Sequence, residues 1–392
     1  MEIPDGWQKN KIRDIAKIDV GRDLIEDRFS KDKNEQYCFP VYSNTVEKFG
    51  HYGFYDIPEY TAKSVTVVAR GIGLGRAFAR TEPFGAIGRL LVLSPLESVF
   101  NVNFLADYLN SNFRLFYESG GIPQLPGKTL GSYAVILPPL PEQRRIAEIL
   151  GTWDRAIAAT EALITASEAQ KKALMQQLLT GKRRLPGFEG EWEEVRLDEF
   201  FQFKKGQGIS KKSVVENGLF PCVLYGELYT HYGDVVRTVK SATNSNQGIP
   251  SVVGDVLIPA STTTTGIDLA NATAVLEDGI RLGGDINILR PLDANTDSRF
   301  MARLLTYVET FKLARRAQGS TIVHLYGSHL KDIIVSVPDI AEQVAISDTI
   351  DLSEKPIQAL QAKLQTLKTE KAALMQQLLT GKRRVKLTEA AA

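Results

Sequence analysis

The 392-residue chain has only two cysteines, Cys38 and Cys222, and four histidines. One cysteine in each half argues against a disulfide framework and for a reducing cytoplasm. The histidines and cysteines show no metal-ligand spacing, so no metal site is expected. No apolar run approaches the roughly 18 residues that a membrane span needs. The opening MEIPDGWQKNK lacks the apolar segment of a secretory signal. Neither sign of charge prevails. Lys and Arg total 47, Asp and Glu 46, for a net charge of +1. Any basic surface must therefore come from arrangement rather than from total charge.

Catalytic signatures are missing as well. No Ser-His-Asp order and no activated cysteine is visible. The Asn/Asp-Pro-Pro-aromatic tetrapeptide of an amino-methyltransferase is absent. Gly71-Ile-Gly-Leu-Gly75 follows an apolar run but lacks the third glycine spacing of a dinucleotide loop and its acidic partner about twenty positions on. It reads better as a loop that brings Arg70 and Arg76 to a backbone. The four histidines, His51, His231, His324 and His329, read as structural or surface residues rather than ligands.

What the chain has is a duplication. Lys171 to Arg184 reads KKALMQQLLTGKRR and Lys371 to Arg384 reads KAALMQQLLTGKRR. Thirteen of fourteen letters agree at an offset of 200 positions. Pro138, Glu142, Gln143 and Ile146 meet Pro338, Glu342, Gln343 and Ile346 at the same offset. An apolar column repeats every seven residues, or multiples of seven: Leu150, Ile157, Ile164 and Leu178, then Ile350, Ile357, Leu364 and Leu378. Leu174 and Leu374 stand in the neighbouring column. Such a seam must be buried against another helix, and the simplest partner for each copy is the other. Lys171 and Lys371 occupy the missing place in each row, where a stem could line the seam with its charge in water.

Gly151 in one copy, and Asp351, Ser353 and Pro356 in the other, predict a break in each helix. The expected pairs are about 141–150 with 152–180, and about 341–350 with 354–380. Each long member would be roughly 40 Å at about 1.5 Å per residue. Gly181 and Gly381 stand where a C-cap glycine belongs.

The segments between the arms agree poorly. Gly6-Trp7 is echoed by Glu191-Trp192, His51-Tyr-Gly53 by His231-Tyr-Gly233, and Phe104 to Leu109 by Phe300 to Leu305. The strand run Ser64 to Ala69 has its counterpart in Asp255 to Pro259. The expected class is α+β: two α/β domains separated by repeated long helices that pack as an antiparallel coiled coil. The expected boundaries are 1–140 and 186–340 for the domains, and 141–185 and 341–392 for the arms.

Three stretches of the domains carry cations and no acid: Lys63, Arg70, Arg76 and Arg80; Lys204, Lys205, Lys211 and Lys212; and Lys312, Arg315, Arg316 and Lys331. Lys128, beside Gly127, joins the candidates. Solvated faces would look the same. The interleaved Gly, Ser, Thr, Asn and Tyr supply hydrogen bonds, and with Ser320, Thr321 and His324 they suit phosphate positioning with base-edge reading. Thr262, Thr263, Thr264 and Thr265 could form a hydroxyl-rich recognition edge. The four threonines could equally be a low-complexity loop.

A variable domain opening near Gly-Trp, then LPPLPEQRRIAEIL (Leu137 to Leu150), then KKALMQQLLTGK (Lys171 to Lys182), all given twice, resembles the specificity subunit of type I restriction–modification enzymes. The second copy departs in part, with VPDIAEQVAISDTI at Val337 to Ile350. The resemblance implies a non-catalytic, cytoplasmic chain. Each variable domain would be a target recognition domain reading one half of a split site on double-stranded DNA. The helical seam would set the spacer and dock two modification (methyltransferase) subunits. S-adenosylmethionine would belong to those subunits and not to this chain, and restriction (endonuclease) subunits would join the core. Two other readings stay open: a specificity chain for a fused type II restriction–methylation enzyme, and a duplicated interaction scaffold without DNA binding.

Overall fold

A computed structural model describes residues 3–113 and 123–387. The chain forms two compact units: residues 1–162 with 362–392, and residues 163–361. Each unit contains a variable domain, the first part of one arm and the last part of the other. The arms are thus shared between units rather than standing apart from them.

In the first unit, strand β1 (Gln8–Lys11) pairs with β8 (Ala134–Leu137), which leads into the arm. The central sheet runs β2 (Ala16–Val20), β7 (Leu91–Pro95), β5 (Ser64–Val67), β6 (Ala77–Arg80). Every residue of β5 is buried, because sheet neighbours flank it and both faces are covered. That is why its sequence is a continuous run and not an alternation. A second sheet contains the hairpin β3 (Phe39–Tyr42) and β4 (His51–Tyr55). Helix α1 (Val102–Asn112) packs its Phe104, Leu105 and Leu109 into the core, and Asn101 caps its start.

The long helix α2 (Leu140–Leu178) leaves this domain. In the second unit the same frame recurs. β9 (Glu193–Arg196) pairs with β15 (Ile334–Val337). β10 (Phe201–Lys205), β13 (Ile286–Pro291) and β11 (Val256–Pro259) lie in the order of β2, β7 and β5. α3 (Ser298–Arg303) takes the place of α1, capped by Asp297. Between them β12 (Ser261–Thr262) meets β14 (Val323–His324), and helix α4 (Ile340–Leu378) ends the frame.

Neither long helix breaks. Each is continuous over 39 residues, about 58 Å at 1.5 Å per residue, which corrects the expected pairs and their 40 Å members. Gly151 costs a helix only about 1 kcal/mol relative to alanine, too little to stop one that is packed along its length. Pro356 costs about 3 kcal/mol. Ion pairs around the same turn offset it, since Asp351 and Glu354 accept from Arg237, Arg303 and Lys171. Ser353 is not an N-cap. Its Oγ donates back to the Ile350 carbonyl at 2.6 Å.

The seam forms within each unit. In the first, Leu150 of α2 and Leu378 of α4 are buried in the same core, with Leu374 packed against it. In the second, Leu178 and Ile350 share a core with Leu174 against it, and Ile357 is also buried. Ile157, Ile164 and Leu364 are half-buried. The two lysines in the seam do not put their charges into water. Lys371 donates to Asp154 at 2.6 Å and is 16% exposed, and Lys171 pairs with Glu354. Pairs 154–371 and 161–368 show that the helices run antiparallel in the first unit. Pairs 171–354 and 184–342 show the same in the second. Gly181 and Gly381 have φ of +65° and +70°, as C-cap glycines do.

Candidate nucleic-acid interface

In both units the chain leaves the central buried strand at one sheet edge and meets a second segment there. In the first unit Arg70, just past β5, bridges Gln124. In the second, Ser261 and Thr262 of β12, just past β11, pair with His324 and Val323. Arg70 and Thr262 occupy the same place in the frame, exposed in the first unit and buried in the second.

Around Arg70 the first unit gathers cations from several loops. Asn44 accepts from the Ala69 amide at 2.7 Å and donates to the Arg70 carbonyl at 3.2 Å, which fixes the loop. Gly71, Gly73 and Gly75 all have positive φ, so this glycine-rich stretch is a tight turn and no dinucleotide cradle. A turn at Gly88-Arg89 precedes β7, and Arg89 has φ +65°. Its amide donates to Gly21, next to Arg22. Arg22, Arg70, Arg76 and Arg89 are exposed and make no ion pair among the described residues. Lys128 is exposed on the short helix that follows Gln124.

Two of the expected residues lie elsewhere. Lys63 precedes β5 whereas Arg70 follows it, so the strand separates them, and Lys63 lines a groove with Leu96 and Arg144. Arg80 is buried, 6% exposed, and is unavailable to a ligand. Its guanidinium lies 3.4 Å from the Tyr42 ring centroid, donates to Thr66 Oγ1 at 2.9 Å and to the Phe49 carbonyl at 2.7 Å. Burial pushes its pKa down to about 10, with Tyr42 opposing. The Phe49 contact matters because Lys48 and Phe49 both hold left-handed backbone, φ +46° and +58°. That conformation costs about 1–2 kcal/mol per non-glycine residue.

In the second unit a groove of about 260 Å³ brings together Lys204, Lys205, Asn287, His324, Tyr326 and Lys331. The His324 and Tyr326 rings stack at 5.8 Å and 16°. Asp285, at φ +56°, sits 3.7 Å from Lys205 and also borders a second groove with Lys211 and Lys240. Lys212 is exposed beside Lys211. The threonine run is only partly open. Thr262 is buried, and the hydroxyls of Thr264 and Thr265 donate to Asp268 at 2.6 and 2.8 Å, capping a short helix. Thr263, Thr264 and Thr265 are all exposed, and Thr263 takes no part in that cap. Gly266, next along, packs on Ala314, so Arg315 and Arg316 follow at the same edge. Arg316 is paired with Asp332 at 3.0 Å, and Arg315 is exposed. Ser320 and Thr321 are exposed on the turn that a Gln318–His324 bridge closes.

Among the described residues no cluster of His, Cys, Asp and Glu could hold a metal ion, and no helix is long and apolar enough to cross a membrane. Arg22, Asn44, Arg89, Lys240, Asn287 and Tyr326 were not found from sequence. Arg89 had a faint signal, a Gly-Arg step before an apolar run. The rest come from isolated positions that only the sheet edge collects.

The frame and its repetition are matched by known proteins. Residues 4–168 and 189–369 both match the family described as type I restriction modification DNA specificity domain. The chain belongs to this family. It is 25% identical over 286 residues to the type I restriction enzyme MjaVIII specificity subunit of Methanocaldococcus jannaschii, across 68% of this chain and 66% of that one. It is 24% identical to a chain named as a candidate MjaX specificity subunit of the same organism, across 98% and 95%. The crystal structure of a type I restriction–modification S subunit from M. genitalium has the same fold, with a TM-score of 0.63, 16% identity and 99% coverage of both chains. These relatives are named as specificity subunits, not as methyltransferases or nucleases. The duplicated α+β organisation read from the sequence is therefore the family's.

Proposed function

We propose that this chain is the non-catalytic DNA-recognition subunit of a cytoplasmic type I restriction–modification complex. Each unit reads one half of a bipartite, asymmetric site on double-stranded DNA. The long helices set the unread spacer and dock two S-adenosylmethionine-dependent methyltransferase subunits, which restriction subunits join. The carrying observation is the shared sheet edge. The same backbone frame carries exposed Arg70 beside Gln124 in one unit, and the β12–β14 pairing with exposed Thr263 and half-buried His324 in the other. Constant backbone with changed side chains is what two different half-sites require. Unpaired arginines and lysines around both edges suit phosphate contacts, and the hydroxyl, amide and aromatic groups between them suit base edges.

The test is methylation mapping of host DNA with the gene intact, deleted, or carrying second-unit substitutions alone. The reading expects a bipartite motif that vanishes on deletion, and whose one half changes when the second unit changes. A motif that survives deletion would overturn it.

A further inference from the structure

The first unit carries two large apolar side chains in the open, at the tips of adjoining loops. Phe49 is 71% exposed and Ile72 is 91% exposed. Loops that merely connect strands seldom display such residues together, since both lose by facing water. The loops are not slack. A Cβ on Gly73 would come within 2.2 Å of Val46, so the turn carrying Ile72 lies directly against the loop carrying Phe49. Asn44 ties the base of one to the base of the other, and buried Arg80 grips the Phe49 carbonyl from below. Phe49 also stands edge-on to Phe78, with ring centroids 6.0 Å apart. The two side chains are therefore held out on a braced platform.

The surroundings say what covers them. Lys48 adjoins Phe49 in sequence, Arg70 stands two residues before Ile72, and both cations are exposed. Lys31 lies 3.8 Å from the Tyr52 ring on the same hairpin. Glu47 is the one exposed acid in the Phe49 turn. An apolar tip in a cationic rim does not fit an acidic or apolar protein face alone. It fits a polyanion with flat apolar surfaces inside it, namely a duplex whose bases can be unstacked.

We propose that Phe49 and Ile72 form a wedge that enters between base pairs of the half-site read by the first unit, with Lys48 and Arg70 holding the flanking phosphates. This rests on the DNA-reading role proposed above and adds a mechanism to it. Recognition in this unit then includes the deformability of a base step, so that flexible pyrimidine–purine steps are favoured at the wedge.

The test uses the full chain and a duplex bearing its mapped site, with 2-aminopurine placed in turn at each position of the first half-site. Wild type should give a fluorescence rise of several-fold at one or two adjacent positions. The Phe49→Ala/Ile72→Ala double variant should lose the rise and bind about tenfold more weakly. Phe49→Trp should retain it, which shows that a ring and not merely a fold is needed. Lys48→Ala/Arg70→Ala should need more protein but reach the same rise at saturation. If wild type binds without a rise at any position, or the double alanine variant keeps it, the wedge is wrong while DNA reading stands. If wild type binds no duplex at all, the parent reading fails with it.

Discussion

Arg384 closes on Glu142 with two hydrogen bonds, Nε to Oε1 at 2.7 Å and Nη2 to Oε2 at 2.8 Å, across 242 positions of chain. Arg384 also donates to the Asp5 carbonyl at 2.7 Å, so the end of one arm holds both the start of the other and the N-terminal segment. Arg184 and Glu342 repeat the grip in the second unit, with both bonds at 2.6 Å. Two such forks explain why the final arginine and the Pro-x-x-x-Glu glutamate occur in both copies. A planar guanidinium matches a carboxylate where lysine would not.

The grip predicts a coupling. Glu142 is buried while Arg384 is about half open, so solvent screens part of the attraction. Glu142→Gln should cost about 2 kcal/mol, because charge-assisted hydrogen bonds are lost at a buried site. With Arg384→Met the pair should cost less than the two single changes added together. Denaturant unfolding of all four proteins gives the coupling. Additive losses would mean that the contact carries no stability.

Arg70 and Arg80 should separate cleanly. Arg70→Ala and Arg89→Ala should leave unfolding unchanged and each reduce the slope of log affinity against log salt by about 0.9. Arg80→Met should instead destabilise the first unit by about 2–3 kcal/mol, since it frees the strained Phe49 turn and orphans the Phe49 carbonyl. Its salt slope should not change once folding is allowed for. Salt titration of binding beside chemical unfolding tests both halves.

In the second unit, replacing His324 and Tyr326 should change which bases are methylated in one half-site. Replacing Lys204, Lys205 and Arg315 should weaken all duplexes alike. Methylome sequencing checks the first expectation and titration against unrelated duplexes the second. An unchanged motif after both substitutions would place the reading outside this groove.

Asp107 predicts a pH dependence. Burial raises its pKa to about 6, with Lys371 and Arg76 pulling down and Asp154 pushing up. The folded chain therefore binds a proton that the unfolded chain has released. Stability contributed at this site should fall as pH rises from about 4 to about 6, and stay low above that. Asp107→Asn should stabilise the first unit at pH 7, by up to about 2 kcal/mol, and make almost no difference near pH 4. Urea midpoints at pH 4 to 7.5 for both proteins measure it. A gain that does not vary with pH would show that charge is not the cause.

The duplication, the two arms, their seam, the C-cap glycines and a buried strand within Ser64 to Ala69 were all legible in the sequence. Each is a local or periodic property, written in spacing alone. The same reasoning failed at Pro356 and Gly151, because local helix cost is decided against tertiary ion pairs and packing that spacing does not show. It misplaced Arg80 because a charge in a cationic run looks the same whether its guanidinium faces water or a tyrosine ring. Arg22, Arg89 and Asn44 lie far from Arg70 in sequence; the pairing of β2, β7 and β5 brings the two arginines to the Arg70 end of the sheet, and hydrogen bonds to Ala69 and Arg70 bring Asn44 from the second sheet. Sequence determined that there are two variable domains on one repeated frame. Which side chains each domain presents was decided by long-range strand order and burial, which no short window of sequence contains.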